Sequence, residues 1–90
     1  MPQAIVDPGE LRRFASDMKH FDGEVSNMMQ RLWAQFQSLG DTWRDQEHVR
    51  FAQEFQETMR MLDRFIREAE EHIPFLLRKA QAAEEYLRRR

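Results

Sequence analysis

Apolar residues recur every three or four positions over two long stretches of this chain, and this spacing constrains the fold more than any other feature. Such steps place each set on one face of an α-helix. No strand-like alternation occurs in either stretch, so the sequence predicts an all-α fold. The first set is Leu11, Phe14, Met18, Phe21, Val25, Met28, Leu32, Phe36 and Leu39. The second is Val49, Ala52, Phe55, Met59, Leu62, Ile66, Ala69, Ile73, Leu76, Ala80, Ala83 and Leu87.

Capping residues mark the ends of the first helix. Asp7 suits the N-cap position, and Pro8 suits the first helical position, where its missing N–H is not needed. Gly40 suits the residue that follows the last turn of a helix. We therefore predict helix one over about 8–39 and a turn over 40–44.

The second helix is predicted over about 45–88. Thr42 and Asp45 are alternative residues for its N-cap. Pro74 stands inside this stretch, where a proline removes one backbone hydrogen bond and usually kinks a helix. Because the apolar spacing continues through Pro74 unbroken, we predict one kinked helix. Residues 1–90 are then expected to form a single antiparallel two-helix hairpin.

Both helices carry more apolar residues than one seam between them can cover. In a lone hairpin the surplus would form a long exposed patch, which usually marks an interface. Two hairpins packed as a four-helix bundle would bury that patch. We expect such a dimer, either a homodimer or a heterodimer with a related hairpin. The alternative is that helix two folds back at Pro74 and covers the patch itself. The interface candidates are Ala15, Met29, Trp33, Phe51, Met61, Phe65 and Leu77.

Composition excludes several classes of function. The chain has 14 Lys and Arg against 16 Asp and Glu, and this balance creates no field that would attract nucleic acid. No run of about 18 consecutive apolar residues is present, so we expect no membrane insertion. The first residues lack the basic and apolar segments of a Sec signal, so we expect no cleaved signal peptide. Cys is absent, which removes disulfides and thiolate catalysis.

Two Asp-x-x-His pairs are the strongest candidates for a chemical site. Asp17 with His20, and Asp45 with His48, each place a carboxylate and an imidazole one turn apart, loosely as in di-iron bundles. The two pairs are expected to lie far apart along the hairpin. We interpret these residues as solvated helix positions and expect no metal, no cofactor and no catalytic residue. A two-helix rod also lacks the concave pocket that an enzyme site needs.

The turn carries the most specific motif of the chain. Trp43, Arg44 and Asp45 follow Gly40 and lead into the second helix. In length, helix placement and turn position the chain resembles the WXG (ESAT-like) family of small helical hairpins handled by type VII secretion systems. In that family a Trp-x-Gly turn joins two helices. Trp43 matches the family tryptophan, whereas Asp45 stands where the family has glycine.

The family also has a C-terminal export signal, a tyrosine followed four residues later by Asp or Glu. Tyr86 lies near the corresponding place, but Arg90 occupies the fourth position after it, which makes any such signal degenerate. The resemblance implies a dimer without enzymatic activity, which acts as a secreted substrate or as the helper of a larger effector. It also implies a secretion ATPase or that effector as further partners.

The resemblance leaves the location open between secretion without a cleaved signal peptide and the cytoplasm. The alternative function is a cytoplasmic coiled-coil adaptor or assembly subunit that is unrelated to secretion.

Overall fold

The computed structural model describes residues 6–89. This range contains two α-helices, α1 (Pro8–Leu39) and α2 (Gln46–Arg88), and no strand. The helices pack antiparallel in a rod of 68 × 18 × 14 Å. The radius of gyration is 20.4 Å, well above the ~12 Å expected of a compact domain of this length. The all-α helical hairpin predicted from the apolar spacing is confirmed, and the four-helix bundle stays a prediction.

The first helix begins at a side-chain cap and ends in a tight turn. The Asp7 carboxylate accepts hydrogen bonds from the backbone N–H groups of Gly9 at 2.8 Å and Glu10 at 3.3 Å. Gly40 caps the other end with φ of −60°, in the right-handed region. A Cβ atom at Gly40 would lie 3.2 Å from the carbonyl oxygen of Gln37. Close approach of the backbone, and not left-handed geometry, therefore favours glycine here.

The second helix begins at Asp45 and runs through its internal proline. The Asp45 carboxylate accepts a hydrogen bond from the backbone N–H of His48 at 3.0 Å, so Asp45 is the N-cap and not Thr42. α2 continues through Pro74 to Arg88 as one helix. It therefore does not fold back at Pro74 to cover the apolar surplus, while the kink itself stays a prediction.

The seam between the helices is narrow and buries few apolar residues completely. Its four buried apolar residues are Ala15, Phe36, Ile66 and Ala80, with exposures between 0% and 8%. Ala15 was expected at the interface with a second hairpin. Its burial between the two helices of one hairpin corrects that expectation. The apolar residues of α1 occupy adjacent columns around the helix, and the column of Ala15 and Phe36 faces α2.

Candidate interaction surface

The turn motif holds the two helix ends together. The backbone N–H of Trp43 donates to the carbonyl oxygen of Leu39 at 2.8 Å. The Arg44 Nε donates to the carbonyl oxygen of Gly40 at 3.3 Å. The Asp45 carboxylate caps α2 by accepting a hydrogen bond from the backbone N–H of His48. Each of these groups has a local structural role in closing the turn.

An aromatic cluster fills the seam beside the turn. Phe36 lies at its centre, with ring centroids 4.8 Å from Phe55, 5.5 Å from His48 and 5.7 Å from Phe51. Trp43 packs edge-on against His48 at 5.0 Å and lies 5.7 Å from Phe51. These rings join α1, the turn and the first three turns of α2 in one packed unit.

Two candidate residues belong to this cluster in ways the sequence did not predict. Trp33 is half-buried and stacks on Phe55, with centroids 6.1 Å apart and an interplanar angle of 3°. His48 was expected to be solvated, but it is half-buried and stacked on Phe36 with an interplanar angle of 7°. Long-range packing across the turn places His48 there, and no local spacing signals it. His20, in contrast, is exposed and pairs with Glu24 at 2.6 Å.

At the open end, a bidentate ion pair joins the helices and defines one face of the hairpin. Arg12 donates to the two carboxylate oxygens of Glu84 at 2.7 and 2.9 Å. The hydrogen bond from Arg12 lowers the pKa of Glu84, desolvation opposes this, and the charges of Arg12 and Arg88 lower it further. The same hydrogen bond raises the pKa of Arg12. We call the side of the hairpin that carries this pair the polar face.

Two grooves continue the polar face toward the turn. One has a volume of about 420 Å³ and is lined by Lys19, Asp22, Gly23, Ser26, Glu70, Ile73 and Pro74. The other has a volume of about 310 Å³ and is lined by Met29, Gln30, Trp33, Met59, Arg60 and Asp63. On α1, Lys19 lies one heptad after Arg12, Ser26 one heptad further, and Gln30 one turn beyond Ser26, so both grooves lie on the same side of the seam as the ion pair.

Large apolar side chains lie on the opposite side of both helices. Two residues along an α-helix correspond to a rotation of about 200°. Phe14 lies two residues after Arg12, and Met28 lies two residues before Gln30. On α2, Phe65 lies two residues after Asp63. Since Arg12, Gln30 and Asp63 mark the polar face, these apolar side chains point to the other side of the hairpin.

We define the apolar face by seven residues that share this side. Phe21 lies one heptad from both Phe14 and Met28, and Leu32 follows Met28 by one turn. Met61 precedes Phe65 by one turn, and Phe75 follows Met61 by two heptads. The exposed fractions of the side chains are Phe14 55%, Phe21 54%, Met28 59%, Leu32 46%, Met61 60%, Phe65 57% and Phe75 59%.

The interface candidates are thus divided between several environments. Met61 and Phe65 lie on the apolar face, as just described. Phe51 is 42% exposed but also packs in the aromatic cluster. Met29 is half-buried and lines the second groove. Leu77 lies one heptad before Glu84 and therefore on the polar face, where it is 38% exposed. The α1 residues of the apolar face all belong to the first apolar set of the sequence, and none of them was among the interface candidates.

The accessible surface of the hairpin is large for its mass. It totals 7645 Å², whereas a compact monomer of 11.0 kDa exposes about 5600 Å². The difference of about 2000 Å² exceeds the ~800 Å² that each partner contributes to a standard interface. The chain therefore has ample surface for a partner.

The C-terminal candidates are only partly described. Tyr86 is 42% exposed near the end of α2. Arg90 lies outside the described residues. Within residues 6–89, no helix combines the length and the apolar content needed to cross a membrane. The same range brings together no group of three or more His, Cys, Asp or Glu that could hold a metal ion.

Comparison with known protein families identifies the family of this chain. A family model described as WXG100, proteins of 100 residues with WXG, matches residues 3–86. The family comprises small helical ESAT-like proteins of type VII secretion. The match covers the Trp43 turn and nearly all of both helices, and it confirms the resemblance inferred from the turn. Comparison with curated proteins and with solved structures gave no significant match.

Proposed function

The chain belongs to the WXG100 family, and from this premise we propose that it acts in type VII secretion as a non-enzymatic homodimer of helical hairpins. The main support for a dimer comes from the apolar face. Seven large apolar side chains lie on one side of the rod, each about half exposed. Monomeric proteins rarely expose so many large apolar side chains on one side, and such a surface usually marks an interface.

The proposed dimer forms when the apolar faces of two hairpins meet. Both helices contribute to this face, so its pairing with a second copy creates a four-helix bundle. A two-fold axis would make the interface isologous, with the same patch used by both chains. Met28 and Met61 suit such a surface, because the flexible methionine side chain adapts to the partner.

The proposed role is to accompany a larger effector during export. Asp45 caps α2 in place of the family glycine, and Arg90 stands where the family export signal has an acidic residue. A dimer that differs from the family at both the turn glycine and the export signal is best suited to be exported together with an effector that carries a complete export signal. The folded hairpin then acts as a helper and not as an independent substrate.

Solution mass tests the dimer. Wild-type protein at micromolar concentration is expected to have a mass of about 22 kDa by light scattering, twice the chain mass of 11.0 kDa. Met28→Glu places a charge in the apolar face and is expected to give an 11.0 kDa monomer. The matched control is Asn27→Glu, which changes the exposed neighbouring residue. A monomeric wild type, or dimers of both variants, would contradict the proposed homodimer.

Export tests the role in secretion. The protein is produced in a host with an active type VII system, with and without its membrane ATPase, and the culture medium is analysed. Appearance in the medium only when both the ATPase and a co-encoded effector are present supports the helper role. Export without an effector indicates an independent substrate. Retention in the cells under all conditions favours the cytoplasmic adaptor.

A further inference from the structure

A buried carboxylate lies in the seam without a partner. Asp22 is 4% exposed, and neither of its carboxylate oxygens has a hydrogen-bond partner within the described part of the chain. It occupies the same helical column as Ala15 and Met29, one heptad from each. Burial of an unpaired carboxylate is unfavourable, because the charged oxygens lose water and gain nothing in exchange. A group outside the hairpin would remove this penalty.

The surroundings of Asp22 are rich in hydrogen-bond acceptors. Asp22, Ser26, Glu70 and Pro74 all line the groove of about 420 Å³ on the polar face. Pro74 has no N–H, so the carbonyl oxygen of Glu70 lacks its usual helical donor. The Ser26 hydroxyl and the Glu70 carboxylate can also accept. The groove therefore offers several oxygens to a ligand that brings only donors.

Gly23 and Lys19 also line this groove. A Cβ atom at Gly23 would meet nothing within 4 Å, so glycine is not required for packing between the helices. Glycine in a helix interior is less favourable than alanine, yet here it leaves the groove open. Lys19 also lines the groove and stands three residues before Asp22. Nevertheless, the ion pairs of the described residues do not include one between them.

We propose that this groove binds an arginine side chain of a partner protein, with Asp22 as the main acceptor. A guanidinium group has five donors and no acceptor, and its planar fork matches a carboxylate. The aliphatic stem of the arginine would lie against Ile73 and Pro74. The groove is on the polar face, so a partner could bind there while the apolar face is covered. The site is thus separate from the proposed dimer interface.

Amide chemical shifts measured by NMR test this site directly. Uniformly ¹⁵N-labelled protein is titrated with N-acetyl-arginine methylamide, and the neutral N-acetyl-citrulline methylamide serves as the matched probe. Saturable shifts are expected for residues 19–26, 70–73 and 75 with the arginine probe alone. Asp22→Asn keeps the size of the side chain and is expected to weaken binding at least ten-fold. Equal shifts with citrulline, or unchanged binding by Asp22→Asn, would overturn the proposal.

A second pair of variants keeps the test valid if Asp22→Asn perturbs folding. Gly23→Gln leaves Asp22 in place but fills the groove, and it is expected to abolish the arginine-dependent shifts. Gly23→Ala adds only a methyl group and should preserve them. Retention of binding by Gly23→Gln would place the probe elsewhere. None of these outcomes depends on the solution mass, so failure of this site and failure of the dimer can be distinguished.

Thermal melting supplies an independent readout. If Asp22 has no partner inside the hairpin, Asp22→Asn should leave the melting temperature unchanged or raise it, since the buried charge is removed. A clear decrease would mean that a group of the hairpin, such as Lys19 in the same groove, already pairs with Asp22 in solution. That result would contradict the proposal.

Discussion

The two ends of the hairpin are held together by different interactions. Beside the turn, aromatic rings from both helices and from the turn pack with centroids 4.8 to 6.1 Å apart. At the open end, the seam contains Ala15 and Ala80, which are almost fully buried, and the helices are joined by the ion pair of Arg12 and Glu84. Large rings fill one end of the seam, and small side chains fill the other.

This difference shows where each half places its large side chains. Near the turn, Phe36 is 8% exposed and lies between the helices. Toward the open end, Phe14, Phe21 and Phe75 are 54% to 59% exposed and lie on the apolar face. The turn end therefore stabilises a single hairpin, whereas the open half carries side chains that only a partner can bury. Four substitutions test this comparison.

The largest effect is expected at the centre of the aromatic cluster. Phe36→Ala removes a buried ring from contact with several others and should lower the free energy of unfolding by about 3–5 kcal/mol. Phe14→Ala is the matched control at the open end, where the same truncation affects a side chain that is 55% exposed. Thermal and urea melts are compared in the monomeric Met28→Glu background. If both variants lost the same free energy of unfolding, the distinction between the two ends would not hold.

The sequence predicts the helices well because their signals are local. The spacing of apolar residues, the Asp7 cap and Gly40 at the turn each act within a few positions of the chain. The helical hairpin that they predict is the one the structure has. Which side of α1 faces α2 is not a local property. Apolar residues fill adjacent columns of α1, and the choice depends on how closely α2 can approach. The column of Ala15 and Phe36 faces α2, and Phe14 and Phe21 therefore lie outside the seam.

The site was harder to predict for the same reason. Met61 and Phe65 were identified as surplus apolar residues, and both are exposed on the apolar face. Asp22 interrupts an apolar column, and a polar residue in a sequence is ordinarily assigned to the solvated side. His48 was assigned to solvent because its contact with Phe36 depends on closure of the turn. The burial of both residues can be inferred only from how the two helices pack together. The periodicity of either helix alone does not reveal that packing.

The next effect concerns the rim of the aromatic cluster. Trp43 is half-buried against His48 and Phe51. Trp43→Ala should therefore lower the free energy of unfolding by about 3 kcal/mol, the lower end of the range for buried rings. Trp43→Phe keeps a ring at this position and should recover most of the loss. If Trp43→Ala melts like the wild type, Trp43 does not stabilise the turn, and its role would lie in recognition.

A smaller effect is expected at the buried alanines of the open end. Ala80→Leu inserts a larger side chain at a fully buried position and should lower the free energy of unfolding by about 1–3 kcal/mol through overpacking. Ala82→Leu makes the same change at an exposed position two residues away and should have little effect. Melting of both variants in the monomeric background measures the difference. Tolerance of leucine at position 80 would mean that the open end is loosely packed and not closely fitted.

The smallest effect is expected for the ion pair at the open end. Glu84 is exposed to solvent, so water and salt screen its attraction to Arg12. Glu84→Gln should therefore lower the melting temperature only slightly at pH 7, and less still at high salt. Glu71→Gln, at another exposed glutamate of α2, controls for the change in net charge.

The pH dependence of this effect follows from the direction of the pKa shift. The pKa of Glu84 is lowered from its ordinary value of 4.5 by the hydrogen bond from Arg12. The stabilisation is thus fully present above pH 4.5 and decreases as the pH falls through the lower pKa of the folded state. Wild type and Glu84→Gln should converge in melting temperature under acid conditions. A large difference that persists in acid and in high salt would mean that position 84 stabilises the open end by packing and not by charge. The contrast with the turn end would then be one of side-chain size alone.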